Sequence, residues 1–150
     1  MPKDSITYQN SGYFNPLINN YLNQKKNLDS LYHRFPTIEN FAKQITEKQA
    51  SFNNSHRKVL VSVLENQYQQ LSTSDVTKQN ILSLSSSNTF TVTTGHQLNI
   101  FTGPLYFLYK IISTINLTKE LKVKYPEYNF VPIYWMATED HDFEEINYFN

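Results

Sequence analysis

Apolar positions in the first half of the chain recur at three- and four-residue intervals, whereas those of the second half also gather into short unbroken runs. Ile38, Phe41, Ala42 and Ile45 form one helical stripe, and Val59, Leu60, Val63, Leu64 and Tyr68 form another. Start signals sit in front of these stripes. Asn15 followed by Pro16 predicts a short helix through Leu22, with Asn15 as its cap. Leu28, Leu31, Tyr32 and Phe35 continue at near-helical spacing until Pro36 interrupts. Thr37 is placed to cap a helix over residues 38–50, and Ser55 to begin one that ends near Leu71. Ser74 or Asp75 caps a last short helix carrying Val76, Ile81, Leu82 and Leu84, before the turn-rich run Ser85-Ser86-Ser87-Asn88.

From Thr89 the pattern changes. Thr89–Thr94 reads as a strand running into Gly95-His96-Gln97, and Phe130–Met136 as a second strand running into Thr138-Glu139-Asp140-His141-Asp142. Between them a helical pattern opens after Gly103-Pro104, with Leu105, Leu108, Ile111, Ile112, Ile115 and Leu121 expected against the sheet. Lys119, Lys122 and Lys124 fall in its last turns, where cations complement the helix dipole. Strand, helix and strand in this order imply a right-handed crossover and parallel pairing. Parallel strands end on one side of a sheet, and open α/β sheets bind ligands outside those carboxyl ends. The expected class is therefore α/β, with a mainly helical segment over residues 1–88 and the start of an α/β core over 89–150. Two parallel strands leave two open edges, which leads us to expect the N-terminal part of a longer protein. Pro132 argues against a central place for the second strand, and for a position at its first paired residue or facing an edge.

Composition narrows the classes. Lysine plus arginine and aspartate plus glutamate number 13 each, so net charge offers no case for nucleic acid or an anionic membrane. The chain has no cysteine, which excludes disulfides and thiolate chemistry by its own residues. No basic start precedes an apolar run, and no stretch approaches the ~20 apolar residues that cross a bilayer. A cytoplasmic protein is the default expectation.

Two polar clusters carry the candidate chemistry. Gly95 would permit a sharp turn, the His96 imidazole can act as acid, base or donor to developing charge, and the Gln97 amide can read a polar ligand edge. Thr94 precedes them, and Thr102 or Gly103 would cap the following helix. Tyr106 and Lys110 share a helical face one turn apart, from which Lys110 could reach an anion, with a solvated lysine the preferred reading. Glu139, Asp140, His141 and Asp142 form the densest group of ionisable side chains, extended by Glu144 and Glu145. Such a group repels itself unless a cation, an arginine or a substrate ammonium intervenes. Consecutive residues rarely all bind one metal, so no metal site is assigned. The structural alternatives are a plain turn at 95–97 and an acid-rich helix start at 139–142. The functional alternatives are a metal-dependent hydrolase or transferase using Glu139–Asp142, or a non-enzymatic helical interaction module.

Thr94-Gly95-His96-Gln97, then Phe101-Thr102-Gly103-Pro104-Leu105-Tyr106, then Val131–Ala137 followed by Glu139-Asp140-His141-Asp142-Phe143-Glu144-Glu145, resembles the bacillithiol biosynthesis cysteine-adding enzymes. The resemblance implies a cytoplasmic ligase that joins cysteine to glucosaminyl-malate, with a Rossmann-like core. It also implies homodimerisation through a coiled coil lying beyond this chain. Amide formation needs an activated carboxylate, so ATP or another nucleotide is the cofactor implied. Nucleotidyltransferases of similar core carry H-x-G-H after the first strand. Here the matching stretch is His96-Gln97-Leu98-Asn99, lacking the glycine and the second histidine. On this reading His96, Asp140 and His141 are the catalytic candidates, and Thr94, Gly95, Gln97, Gly103, Glu139 and Asp142 bind substrate.

Overall fold

The computed structural model describes residues 4–97, 99 and 103–140. The chain divides into two compact units, residues 1–42 and 43–150. In the first, α1 (Tyr8–Ser11) is capped by Thr7 and closed by Gly12 at φ 73°. The predicted helix is α2 (Pro16–Leu22), where the Ile18 amide donates to Asn15 Oδ1 at 3.0 Å. Leu28 and Leu31 lie on a 3-10 helix (Lys26–Leu31) instead of an α-helix. Tyr21, Tyr32 and Phe35 then pack as an aromatic triad with centroids 5.1 to 6.3 Å apart. The helix expected from residue 38 becomes regular two residues later, as α3 (Asn40–Ser51), behind tight turns that pair Asn40 with Thr37 and Phe41 with Ile38.

In the second unit α4 (Asn54–Tyr68) starts one residue before Ser55, because Asn53 is the stronger cap: its Oδ1 accepts from the Ser55 and His56 amides at 3.0 and 3.1 Å. Val59 and Val63, expected inside, are exposed. The inward position is taken by Arg57, which is 4% exposed. Its guanidinium donates to the carbonyls of Leu84 at 3.0 Å, Thr89 at 2.9 Å and Ser87 at 3.4 Å. Burial lowers its pKa from the usual arginine range. This side chain ties α4 to the link between α5 (Asp75–Ser83, capped by Ser74) and the first strand. Ile81 and Leu84 fill the adjoining core, while Val76 and Leu82 face outwards.

β1 (Thr89–His96) and β2 (Asn129–Met136) pair in parallel, from Thr89 opposite Asn129 to His96 opposite Met136. The connecting helix α6 (Leu105–Lys124) packs on both strands. Its buried side is Thr114, Thr118 and Leu121, with Phe107 and Ile111 half-buried. Leu105, Leu108, Ile112 and Ile115 are exposed, contrary to the sequence reading. The helix can bury threonines because their hydroxyls bond back to the carbonyls of Lys110 and Ile115 at 2.8 and 2.7 Å.

One strand detail departs from expectation, and another decides between two alternatives. β1 extends through Gly95 and His96, so Gly95 makes no turn. A Cβ there would lie 2.9 Å from the Trp135 carbonyl oxygen and 3.0 Å from its Cβ, so glycine serves close strand approach. Pro132 sits inside β2, opposite Val92, not at its start. β2 donates through odd-numbered residues, Asn129 to Asn88 O at 2.9 Å and Ala137 to His96 O at 3.1 Å. Pro132 nitrogen therefore points to the other edge and costs this ladder nothing. Among the described residues no helix is long and apolar enough to cross a membrane.

Replacing Arg57 by Leu strips three carbonyls of their donor in a buried place and is expected to destabilise the fold by about 3 kcal/mol. Urea unfolding of the variant against wild type measures this. A loss below about 0.5 kcal/mol would show the side chain to be incidental.

Candidate functional site

Strand alternation places Thr94 and His96 on the α6 side of the sheet, and Gly95 with Trp135 on the other. Thr94, Pro132 and Tyr134 face Ile111 and Thr114 of α6 across a groove of about 150 Å³, which Ile133 also borders. Above it, Phe107 meets Tyr134 edge-on at 5.4 Å, and the Tyr134 hydroxyl donates to His96 O at 3.1 Å. Burial pushes the Tyr134 phenol above the ordinary tyrosine value.

The His96 ring is held from both sides. Its Nε2 is 2.8 Å from the Tyr106 hydroxyl, and its Nδ1 is 3.0 Å from Asn99 Nδ2. The same Asn99 amide nitrogen donates to Gln97 O at 2.9 Å. Reversing that amide would set its oxygen against the Gln97 carbonyl, so the nitrogen faces both groups. Nδ1 also lies 3.2 Å from Gln97 O, but the Asn99 contact is shorter and that carbonyl already accepts from Asn99, which favours Nδ1 as the acceptor. The ring proton then lies on Nε2 and is donated to Tyr106. Gly103 supports this arrangement: at φ +60° it packs so tightly on Asn99 that a Cβ would come within 2.6 Å of the Asn99 side chain. It does not cap α6 through a side chain, and Pro104 occupies the cap position.

The acidic turn starts where the ladder ends. The Ala137 amide bonded to His96 O joins the two clusters at one rim. Asp140 is exposed and its amide closes a turn on Ala137 O at 3.4 Å. Glu139 instead accepts from Trp135 Nε1 at 3.3 Å, which draws it towards the face opposite His96. Gln97 contributes its carbonyl oxygen. His141 and Asp142 lie outside the described residues, as does Thr102. Among the described residues no three of histidine, cysteine, aspartate and glutamate gather to hold a metal.

Three side chains escaped the sequence reading as parts of this site. Tyr106 lies within the stretches that carry the family resemblance and Asn99 within the stretch matched to H-x-G-H, yet neither is given a role there. Lys110, read as solvated, donates to Gly95 O at 3.0 Å with its ammonium 5.9 Å from the Tyr106 ring centroid. The four-residue spacing of Tyr106 and Lys110 was the available clue.

The family model for the bacillithiol biosynthesis BshC N-terminal Rossmann-like domain matches residues 1–150. A protein of Flavobacterium johnsoniae named "Putative cysteine ligase BshC" is 69% identical over 150 residues, all of this chain and 28% of that protein. Proteins with the same name from Christiangramia forsetii and Bacillus thuringiensis are 67% identical over 150 residues and 35% identical over 133. These cover 100% and 88% of this chain. The chain thus spans about 28% of the length of the first of these relatives.

Replacing Gly103 by Ala should displace Asn99 and release Nδ1, at a cost of about 1 kcal/mol or more. Long-range ¹⁵N–¹H spectra of the His96 ring report the loss of the single Nε2-protonated tautomer; an unchanged spectrum would remove the role given to Gly103. A second expectation concerns pH. Because the folded-state pKa of Tyr134 is raised, its contribution to stability is present below the ordinary tyrosine value of 10.0 and lost as pH rises through the folded value. Unfolding midpoints taken across alkaline pH should therefore fall more steeply for wild type than for Tyr134→Phe.

Proposed function

Since the chain belongs to the bacillithiol biosynthesis BshC family, as its N-terminal Rossmann-like domain, we propose that the whole protein is a cytoplasmic ligase adding cysteine to glucosaminyl-malate. The observation that carries the reading is the 3.1 Å bond from Ala137 N to His96 O, which sets an imidazole and an acidic turn at one sheet rim. Joining an amine to a carboxylic acid asks for both kinds of group. The exposed carboxylate of Asp140 attracts the ammonium of cysteine, with Glu139 adding negative charge nearby. The Nε2 proton of His96, delivered through the Tyr106 hydroxyl, favours negative charge growing on the carboxyl oxygen. The Thr94 groove beneath receives the apolar side of whatever is bound.

A nucleotide such as ATP would supply carboxylate activation. The described glycines do not fit a phosphate cradle: Gly95 lies in the strand ladder, and Gly103 is packed against Asn99. Nucleotide binding is accordingly assigned to no residue of this chain.

Full-length protein incubated with glucosaminyl-malate and cysteine, with and without ATP, is to be followed by mass spectrometry for product and adenylate. His96→Ala and Asp140→Ala should each lower product formation by at least ~100-fold, the scale of a lost acid/base or charge-stabilising group. Full activity in both variants would overturn the assignment.

A further inference from the structure

Resting on the reading of His96 as part of the site, we infer that Tyr106 and Lys110 form a carboxylate-binding pair, with Asn99 as the positioning residue that aims the Tyr106 hydroxyl. The argument begins at Asn99. An amide nitrogen donates and cannot accept, and its two hydrogens go to Gln97 O at 2.9 Å and His96 Nδ1 at 3.0 Å. With Nδ1 accepting from Asn99 in preference to donating to Gln97 O 3.2 Å away, the imidazole proton sits at Nε2 and is donated to the Tyr106 oxygen 2.8 Å away. An oxygen that accepts from Nε2 turns its own hydrogen away from the ring. Tyr106 is 51% exposed, so that hydrogen meets the open rim and seeks an acceptor there.

Lys110 supplies the charge. One of its three N–H groups is used by Gly95 O at 3.0 Å, which anchors the ammonium beside the end of β1 and leaves two donors. Its position over the Tyr106 ring places cation and hydroxyl on the same side of α6. One cation and one hydroxyl match the single charge and two oxygens of a carboxylate, and charge-assisted hydrogen bonds are the strong ones. A phosphate dianion concentrates two charges on one centre, which a single cation does not match, whereas a dicarboxylate such as succinate offers one charge per carboxylate. The acceptor acid of the proposed ligation presents such a carboxylate.

Calorimetric titration of the full-length protein with succinate, and separately with inorganic phosphate, tests this without requiring turnover. Succinate is expected to bind wild type. Tyr106→Phe and Lys110→Met should each weaken it at least tenfold at unchanged unfolding midpoints, whereas Lys110→Arg retains most of the affinity. Asn99→Ala should weaken succinate as well and shift the His96 ring ¹⁵N resonances, which a merely structural asparagine would leave in place. Absence of succinate binding, tighter binding of phosphate than of succinate, or full succinate affinity in both Tyr106→Phe and Lys110→Met would overturn the inference. Failure of ligation with succinate binding intact would instead strike only the function proposed above.

Discussion

Close parallel contact between two eight-residue strands is the constraint from which the rim is built. The ladder from Thr89–Asn129 to His96–Met136 continues one step further, into the bond between Ala137 N and His96 O. That step makes the acidic turn a direct continuation of the strand beside the imidazole. Only a residue without a side chain lets the strands approach this closely at Gly95, where Trp135 occupies the space a Cβ would need. Parallel geometry also decides facing: it sends His96 towards α6 and Trp135, with Glu139 bonded to it, towards the other face. The two clusters share a rim while some of their side chains diverge across it.

The opposite end of the unit is held by different physics. Arg57 is a buried cation without an acidic partner in its hydrogen bonds, which go to three backbone carbonyls. Carbonyl oxygens of a turn have few alternatives inside a fold, and a planar guanidinium satisfies several at once. Its cost in desolvation is offset by closing the α5–β1 link at the foot of the sheet. The buried arginine thus lies at the amino end of β1 and the polar groups of the rim at the carboxyl end, the end where open α/β sheets bind ligands.

Within the site, the hydrogen-bond order runs from Gly103 through Asn99 to His96 and out to Tyr106. Each link restricts the next, so the imidazole ring is held in place by described groups that include no acid. This differs from the arrangement in which a carboxylate orients a histidine.

The sequence alone determined the strand–helix–strand order, the parallel crossover, the Asn15-Pro16 helix start, and the α/β class, because caps, prolines and apolar periodicity act locally. It also singled out His96 and the acidic turn, since clustered polar residues after a strand are visible as composition. Family resemblance came from the same residues. Which side of α4 and α6 faces inwards was decided by tertiary structure: Arg57 displaced Val59 and Val63, and back-bonded threonines displaced Leu105 and Leu108. The role of Gly95 depended on a neighbour forty residues away in sequence, and the parts played by Asn99, Tyr106 and Lys110 on hydrogen bonds that form only once β1 and α6 have packed. Local signals fix what each segment becomes, whereas packing and hydrogen-bond satisfaction fix which side chains meet.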